Sequence, residues 1–220
     1  MLIQNLEAVK EQISSFIESN GRDINEITLI GVSKKKPIEM IMEAFDAGLK
    51  NFGENYVEEF VSKQTKYHPV GLNYHFIGRL PTKKVRKVVG KAGLIHSVDS
   101  LKLASKINFV ASEEKISQEI LIQINQGNEV SKSGIEVIEI ENLLKSVLQF
   151  SNIKVRGLMS IPPFNEKARD YFVELREIRD FLEIKFGIDL PFLSMGMSGD
   201  FKEAIEEGAT HIRVGTSIFG

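Results

Sequence analysis

A lysine stands one residue after one of the most apolar short runs of this chain. The run ITLIGV at 27–32 is rich in β-branched residues, which predicts a strand, and Ser33 and Lys34 come next. A buried strand would carry the Lys34 ammonium to the edge of a core, where loss of water favours the neutral amine. Such an amine can form an imine with a carbonyl compound. Alternatively, Lys34, Lys35 and Lys36 are a solvated charge run, the ordinary environment of lysine.

Two loops near the end of the sequence combine glycine with hydroxyl-bearing residues. The first is SMGMSGD at 194–200, and the second is RVGT at 213–216. Each is followed by a possible helical turn, so backbone N–H groups there can approach an anion closely. Glycine before a helix is common, and either loop alone says little. The two loops together predict a phosphate site.

Hydrophobic periodicity indicates the elements that position these residues. Apolar runs predict eight strands, at 28–32, 51–53, 74–77, 94–97, 119–124, 154–158, 191–195 and 211–214. Helical spacing predicts an N-terminal helix over 2–17 and further helices at 37–47, 55–66, 81–90, 100–109, 136–150, 166–186 and 199–207. This alternation is typical of an α/β protein of the (β/α)8, or TIM barrel, type. We expect residues 1–220 to form a single domain whose N-terminal helix fills the eighth position of the outer ring.

Barrels of this type gather their chemistry at the C-terminal ends of the strands and often hold phosphate on the loops after strands seven and eight. Lys34 follows strand one, so it would face the two glycine-bearing loops. A phosphorylated carbonyl compound fits this arrangement, and pyridoxal 5′-phosphate (PLP) is one. Arg213, on strand eight, would meet the far edge of the ring and leave a pyridine nitrogen unprotonated, which limits carbanion chemistry. The alternative for Arg213 is a salt bridge inside the barrel.

Composition excludes several classes of protein. The 220 residues are 42% hydrophobic and carry a net charge of −2, which gives no electrostatic signature of a nucleic-acid or membrane partner. The absence of cysteine excludes disulfides, thiolate metal sites and a cysteine nucleophile, and four scattered histidines predict no metal site. Because we find neither a signal segment nor an apolar run of membrane-spanning length, we expect a cytoplasmic protein.

Short motifs along nearly the whole chain carry a family resemblance. They are VSKKKP at 32–37, FGENYV at 52–57, HFIG at 75–78, HSVDS at 96–100, SKSG at 131–134, RGLM at 156–159, and the segments 193–200 and 213–220. In this order they resemble the pyridoxal phosphate homeostasis proteins, single-barrel relatives of the alanine racemase N-terminal domain. The resemblance implies that Lys34 holds PLP as an internal aldimine, with Asn55 beside it and Arg213 at the ring nitrogen. It also implies phosphate contacts from Ser198, Gly199, Gly215 and Thr216.

Other residues near the predicted pocket have less certain assignments. Relatives commonly carry Leu-Gln where this chain has Leu80-Pro81, so the side-chain contacts of that loop are not carried over. His75 and His96 could line the pocket, although a structural hydrogen-bonding role is more common for a lone histidine. Lys132 could meet incoming cofactor or be an ordinary exposed lysine.

Racemisation on PLP needs a second acid/base on the face opposite the lysine. In the related racemases a tyrosine from an added β domain supplies it, and we find no such domain in this sequence. We therefore expect a protein that holds PLP and delivers it to apo-enzymes, as a monomer or weak dimer, without robust turnover. The alternatives are a low-activity PLP-dependent amino-acid racemase and a Schiff-base aldolase for sugar phosphates, although the aldolase would not explain Arg213.

Overall fold

The computed structural model describes residues 1–127, 133–163 and 166–220. Within these residues eight parallel strands close into one barrel in chain order, with the last strand paired to the first. The strands are β1 (Thr28–Val32), β2 (Asn51–Glu54), β3 (Asn73–Phe76), β4 (Leu94–Val98), β5 (Gln118–Ile124), β6 (Ile153–Ser160), β7 (Phe192–Met197) and β8 (His211–Val214). The predicted TIM barrel is confirmed.

α-Helices surround the barrel and connect most of its strands. They are α1 (Leu2–Ser19), α2 (Ile38–Asp46), α3 (Val57–Lys66), α4 (Leu101–Glu113), α5 (Ile140–Val147), α6 (Ala168–Phe186), α7 (Phe201–Glu206) and α8 (Thr216–Phe219). The connection from β3 to β4 is instead a 3-10 helix at Thr82–Lys87, so the α-helix predicted over 81–90 is wrong. Val85 in this helix and Val88 directly after it are buried and three residues apart, which matches the repeat of a 3-10 helix.

The N-terminal helix completes the outer ring. α1 packs against α2, α7 and α8. Since α8 has only one turn, α1 covers the part of the barrel that α8 leaves open, as predicted. The buried stripe of α1 is formed by Leu2, Leu6, Val9, Ile13 and Ile17. No helix in the described ranges is long and apolar enough to cross a membrane.

The barrel interior combines apolar and polar side chains. Leu94, Leu121 and Met159 form a small apolar cluster that is separate from the main core between strands and helices. His96 lies two residues after Leu94 on β4 and therefore shares its face of the sheet. Because buried polar groups require hydrogen-bond partners, these polar side chains must satisfy one another inside the barrel.

Packing of α1 can be tested at its most buried position. Leu6 is fully buried, whereas Ile3 on the same helix is 47% exposed. We expect Leu6→Ala to lower the free energy of unfolding by about 2–5 kcal/mol, because it leaves a cavity in the core. Ile3→Ala, the matched control, should change it by less than about 0.5 kcal/mol. Urea unfolding followed by circular dichroism measures both, and equal losses would contradict the packing of α1.

Candidate functional site

One pocket at the C-terminal ends of the strands brings together every residue for which the sequence predicted a binding role. Its volume is about 260 Å³. The predicted residues that line it are Lys34, Asn55, Ser198, Gly199, Arg213, Gly215 and Thr216. Its apolar lining consists of Val32, Ile77, Ile161 and Met197. The sequence predicted a core or ring-flanking position for Met197 but assigned no pocket role to Val32, Ile77 or Ile161, although each lies near the end of a predicted strand.

Lys34 lies in the turn after β1, and its side chain is exposed. Within the described part of the chain, Lys34 Nζ forms no hydrogen bond or ion pair with the protein. The expectation that burial at the core edge removes water from this amine is therefore wrong. The reason is that β1 ends at Val32, so the chain has already turned toward solvent at Lys34. Lys34 lines the cavity, and its amine has no competing partner among the described residues.

A buried network of charges holds this turn. Lys63 on α3 donates from Nζ to the Ser33 carbonyl oxygen at 2.7 Å, to Glu54 Oε1 at 2.7 Å and to Glu59 Oε1 at 2.6 Å. Ser33 Oγ donates to Glu54 Oε1 at 2.6 Å. The N–H of Lys35 donates to Glu59 Oε1 at 2.6 Å. These contacts hold Lys35 at a φ of 61°, a left-handed conformation that is unfavourable for a residue with a Cβ atom.

Besides these apolar lining residues, sequence reasoning missed the roles of Glu54 and Lys63, which support the turn. Glu54 is fully buried, and this burial raises the pKa of its carboxyl group, although Lys63 and Ser33 oppose the shift. Lys63 continues the buried face that Val57 and Phe60 form on α3 at three-residue spacing. A lysine in an apolar stripe was the signal that could have revealed a buried ion pair.

The sequence predicted that this helix begins at position 55, but α3 begins at Val57. Asn55 therefore lies outside the helix and reaches the pocket. Gly78, which follows β3, packs directly on Asn55: a Cβ atom at Gly78 would lie 2.1 Å from the Asn55 carbonyl oxygen. The side-chain Oδ1 of Asn55 is buried and has no hydrogen-bond partner among the described residues. Since an unsatisfied buried acceptor is destabilising, this atom fits a bound molecule that offers a donor.

The loop after β7 is a tight turn that exposes its backbone to the pocket. Asp200 Oδ1 accepts a hydrogen bond from the N–H of Met197 at 2.6 Å, which closes the turn. Gly199 has no other atom within 4 Å of the place where a Cβ atom would stand, so a ligand can approach its backbone. Ser198 adds a hydroxyl group beside it. A turn of this kind suits an anion.

The loop after β8 lies next to the loop after β7. The N–H of Ser217 points to Ser198 Oγ at 3.5 Å and so connects the two loops. A Cβ atom at Gly215 would lie 3.3 Å from Val32 Cβ and 3.4 Å from its carbonyl oxygen. Because Gly215 has no side chain, β8 and β1 can approach each other closely at the pocket. α8 begins at Thr216, directly after Gly215.

Arg213 enters the pocket from β8 and is almost completely buried. Its Nη1 donates to Ser194 Oγ at 2.6 Å, and its Nη2 donates to the Ser160 carbonyl oxygen at 2.9 Å. Within the described residues it forms no salt bridge, so the alternative interpretation of Arg213 is wrong. Burial lowers the pKa of Arg213 to about 10, with Asp200 opposing the shift, and the guanidinium is still charged at neutral pH.

His75 and His96 are buried inside the barrel and are not among the residues that line this pocket. His75 Nδ1 and His96 Nε2 are 3.0 Å apart. Burial lowers the pKa of His75 to about 4 and that of His96 well below its usual value. Of the two interpretations, the structure supports the structural hydrogen-bonding role. Lys132, the other residue left open, lies outside the described residues.

The fold and the pocket together define a class: an eight-stranded barrel with an amine after strand one and anion-type loops after strands seven and eight. The chain matches the family model described as alanine racemase, N-terminal domain, over residues 5–220. Among solved structures, alanine racemase from Clostridium difficile 630 gives a TM-score of 0.74 at 15% identity. That alignment covers 94% of this chain and 55% of the racemase chain, and at this identity it shows the common fold alone.

Closer relatives define the family more narrowly. The pyridoxal phosphate homeostasis protein of Aquifex aeolicus is 46% identical over 220 residues, which cover 99% of this chain and 96% of that protein. The protein of the same name from Escherichia coli is 40% identical over 224 residues, covering 100% and 96%. This chain belongs to the pyridoxal phosphate homeostasis proteins, as the motifs indicated. PipY of Synechococcus elongatus, solved with PLP bound, has a TM-score of 0.89 at 33% identity over the whole of both chains.

Removal of Lys63 would leave the buried Glu54 carboxylate without its partner. We expect Lys63→Met to lower the free energy of unfolding by about 3–5 kcal/mol near pH 7.5. Burial raises the pKa of Glu54 and Lys63 opposes the shift, so without Lys63 this pKa rises further and the folded variant takes up the proton at a higher pH than the unfolded chain does. The loss should therefore shrink as the pH falls toward 4.5, the ordinary glutamate value.

Urea unfolding at about pH 7.5 and about pH 5.5 measures this difference. Lys66→Met is the matched control, since Lys66 is exposed on the same helix and should change stability by less than about 0.5 kcal/mol. A loss of the same size at both pH values would mean that the Glu54 charge is not what Lys63 stabilises.

Proposed function

We propose that this chain binds PLP in the pocket at the mouth of its barrel and keeps the cofactor available to other proteins. The observation that carries this proposal is the meeting of three groups in one cavity: an exposed amine, two loops suited to an anion and a buried guanidinium. Its relatives bear the name pyridoxal phosphate homeostasis protein, and PipY was solved with PLP bound. These similarities support the same ligand here.

The pocket residues fit the functional groups of PLP. The cofactor supplies an aldehyde that condenses with a primary amine and releases one water molecule. Lys34 Nζ is the amine that we assign to this bond, because it faces the cavity without a protein partner. Asn55 would lie beside it, with its unpaired Oδ1 available to a hydroxyl donor on the ligand. The phosphate would contact Ser198, Gly199, Gly215 and Thr216.

Arg213 would hold the opposite edge of the ring. With its pKa lowered only to about 10, Arg213 remains a cation that donates hydrogen bonds and accepts none. A ring nitrogen that accepts from Arg213 is kept unprotonated by the adjacent positive charge. An unprotonated ring is a poor electron sink, so this residue favours retention of the cofactor over carbanion chemistry.

Catalysis would require an acid/base besides Lys34. Among the described residues that line the pocket, none is a tyrosine, histidine, aspartate or glutamate that could serve as one. We therefore propose that the protein has no robust turnover of amino acids. We further propose that it acts in the cytoplasm as a single PLP-binding domain, monomeric or weakly dimeric. Its acceptors would be apo-enzymes that depend on PLP.

The attachment site can be mapped chemically. We expect the protein loaded with PLP to be yellow, and borohydride reduction followed by peptide mass mapping should place the label on Lys34. Lys34→Ala should lose both the colour and the label, because no other unpaired lysine lines the described pocket.

Lys36→Ala is the matched control and should keep both signals. Lys36 lies two residues further along the same turn, but its Nζ donates to the carbonyl oxygens of Phe219 and Gly220 at 2.9 and 2.7 Å. Recovery of the label on Lys36, or an unchanged spectrum in Lys34→Ala, would overturn the assignment.

The carrier function is tested by an assay for loss of optical activity with a panel of single amino acids. We expect rates no higher than those of free PLP at the same concentration, because the pocket lacks a second acid/base. Turnover well above this level that disappears in Lys34→Ala would show a PLP-dependent racemase instead.

A further inference from the structure

A chain of buried side chains crosses the barrel from Arg213 toward the opposite end. Arg213 Nη1 donates to Ser194 Oγ at 2.6 Å, and Ser194 Oγ lies 2.8 Å from His96 Nδ1. His96 Nε2 lies 3.0 Å from His75 Nδ1, and His75 Nε2 lies 3.2 Å from Asn51 Oδ1. Asn51 is the first residue of β2, at the end of the strand remote from the pocket. The chain thus joins side chains of β8, β7, β4, β3 and β2.

The chemistry of its two ends gives this chain a single direction. Arg213 can only donate, so Ser194 Oγ accepts from it and offers its own proton to His96 Nδ1. At the other end Asn51 Oδ1 can only accept, so His75 donates from Nε2 and accepts at Nδ1. His96 must then donate from Nε2. Every hydrogen bond points away from Arg213, and both imidazoles have the Nε2–H tautomer.

Two further observations agree with this arrangement. Asn73 Nδ2 also donates to Asn51 Oδ1, at 3.3 Å, so the same amide oxygen accepts from both neighbours. Burial keeps His75 and His96 neutral at pH 7, and the neighbouring His75, His211 and Arg213 lower the pKa of His96 further. A protonated His96 would have a donor at Nδ1 and would lose the acceptor that Ser194 needs.

We infer that Ser194 and His96 are positioning residues that hold Arg213 as an oriented cation facing the pocket, without a carboxylate bonded to it within the described residues. Ser194 and the Ser160 carbonyl oxygen take one N–H each from the two terminal nitrogens, so the remaining guanidinium donors stay available. This inference rests on the proposed function, because the group that Arg213 would meet is the PLP ring nitrogen.

A neutral chain of hydrogen bonds stabilises the Arg213 cation and leaves its positive charge in place, which a carboxylate partner would not do. A carboxylate would neutralise the guanidinium and cancel its effect on a nearby ring nitrogen. Oriented hydroxyl and imidazole dipoles stabilise the cation through hydrogen bonds while the net positive charge remains. The chain of hydrogen bonds therefore explains how Arg213 is buried without a salt bridge within the described residues. It also explains why two neutral histidines occupy the interior beside it.

His211 provides a control within the same interior. Its ring centroid lies 5.9 Å from that of His96 and 6.1 Å from that of His75, and it is equally buried. Its Nδ1 is 2.9 Å from Thr210 Oγ1, so it does not belong to the chain. A substitution at His211 disturbs the packing of the interior to a similar extent but leaves every bond of the chain in place.

The first test uses ¹⁵N NMR of the full-length protein without added ligand. We expect the Nε2–H tautomer for His75 and His96, unchanged between about pH 6 and about pH 8, and ordered Arg213 side-chain N–H signals. Ser194→Ala should broaden the Arg213 signals, whereas His211→Asn should not. An Nδ1–H tautomer for His96, or Arg213 signals that Ser194→Ala leaves unchanged, would overturn the inference.

The second test uses the protein loaded with PLP labelled with ¹⁵N in its ring. Ser194→Ala should weaken PLP binding about tenfold, the effect of one lost hydrogen bond to a charged group, and should shift the ring resonance toward the protonated position. His211→Asn should stay within about twofold of the wild type. Ser194→Thr, which keeps the hydroxyl group, should restore the ring resonance. Equal losses in Ser194→Ala and His211→Asn without a ring shift would reduce Ser194 to an ordinary packing residue and overturn the inference.

Two further outcomes remain decisive. If circular dichroism shows that Ser194→Ala does not fold, His96→Asn breaks the link to His75 and should move both readouts in the same direction. If the wild type does not bind PLP, the proposed function fails while the inference is still decided by the Arg213 signals. Broadening in the variant supports it, and unchanged signals overturn it.

Discussion

The pairing of β8 with β1 closes the barrel, and the arrangement of the pocket depends on it. The two strands run parallel, with Ile30 beside Arg213 and Gly31 beside Val214. The turn that carries Lys34 therefore lies next to the loop that begins at Gly215, although these segments are at opposite ends of the sequence. The close approach of Gly215 to Val32 shows how tightly the two strand ends meet. The pairing of β1 with β8 thus makes the amine of Lys34 and a glycine-bearing loop neighbours in the fold.

The two buried cations of the site, Lys63 and Arg213, are stabilised in different ways. Lys63 is surrounded by Glu54, Glu59 and a backbone carbonyl oxygen, so its charge is neutralised and its hydrogen bonds fix a backbone turn. Arg213 is bonded to a hydroxyl group and a carbonyl oxygen, so its charge is stabilised but not cancelled. The first arrangement suits a residue that shapes the site, and the second suits a residue that acts on a ligand.

The sequence predicted the barrel and the location of the pocket because chain order determines position in a (β/α)8 fold. Lys34 and the loops at 194–200 and 213–216 follow strands one, seven and eight, and these ends must meet. Features that depend on where a side chain points were not predictable in this way. The exposure of Lys34 depends on the path of the turn that follows β1, whose end at Val32 was predicted correctly. The His75–His96 contact depends on how the two side chains are oriented on the neighbouring strands β3 and β4. Lys63 was the exception, since its place in the stripe of Val57 and Phe60 was visible beforehand.

Three neutral histidines and one cationic arginine lie inside the barrel, and their protonation states are the same throughout the neutral pH range. The pKa values are about 4 for His75, about 3 for His211 and about 10 for Arg213, and that of His96 is also far below neutrality. Around neutral pH these four side chains together therefore carry one positive charge. Small changes in pH near neutrality therefore do not change the charge of these four side chains. Any response of the protein to acidity must arise from the bound molecule itself or from groups outside these four.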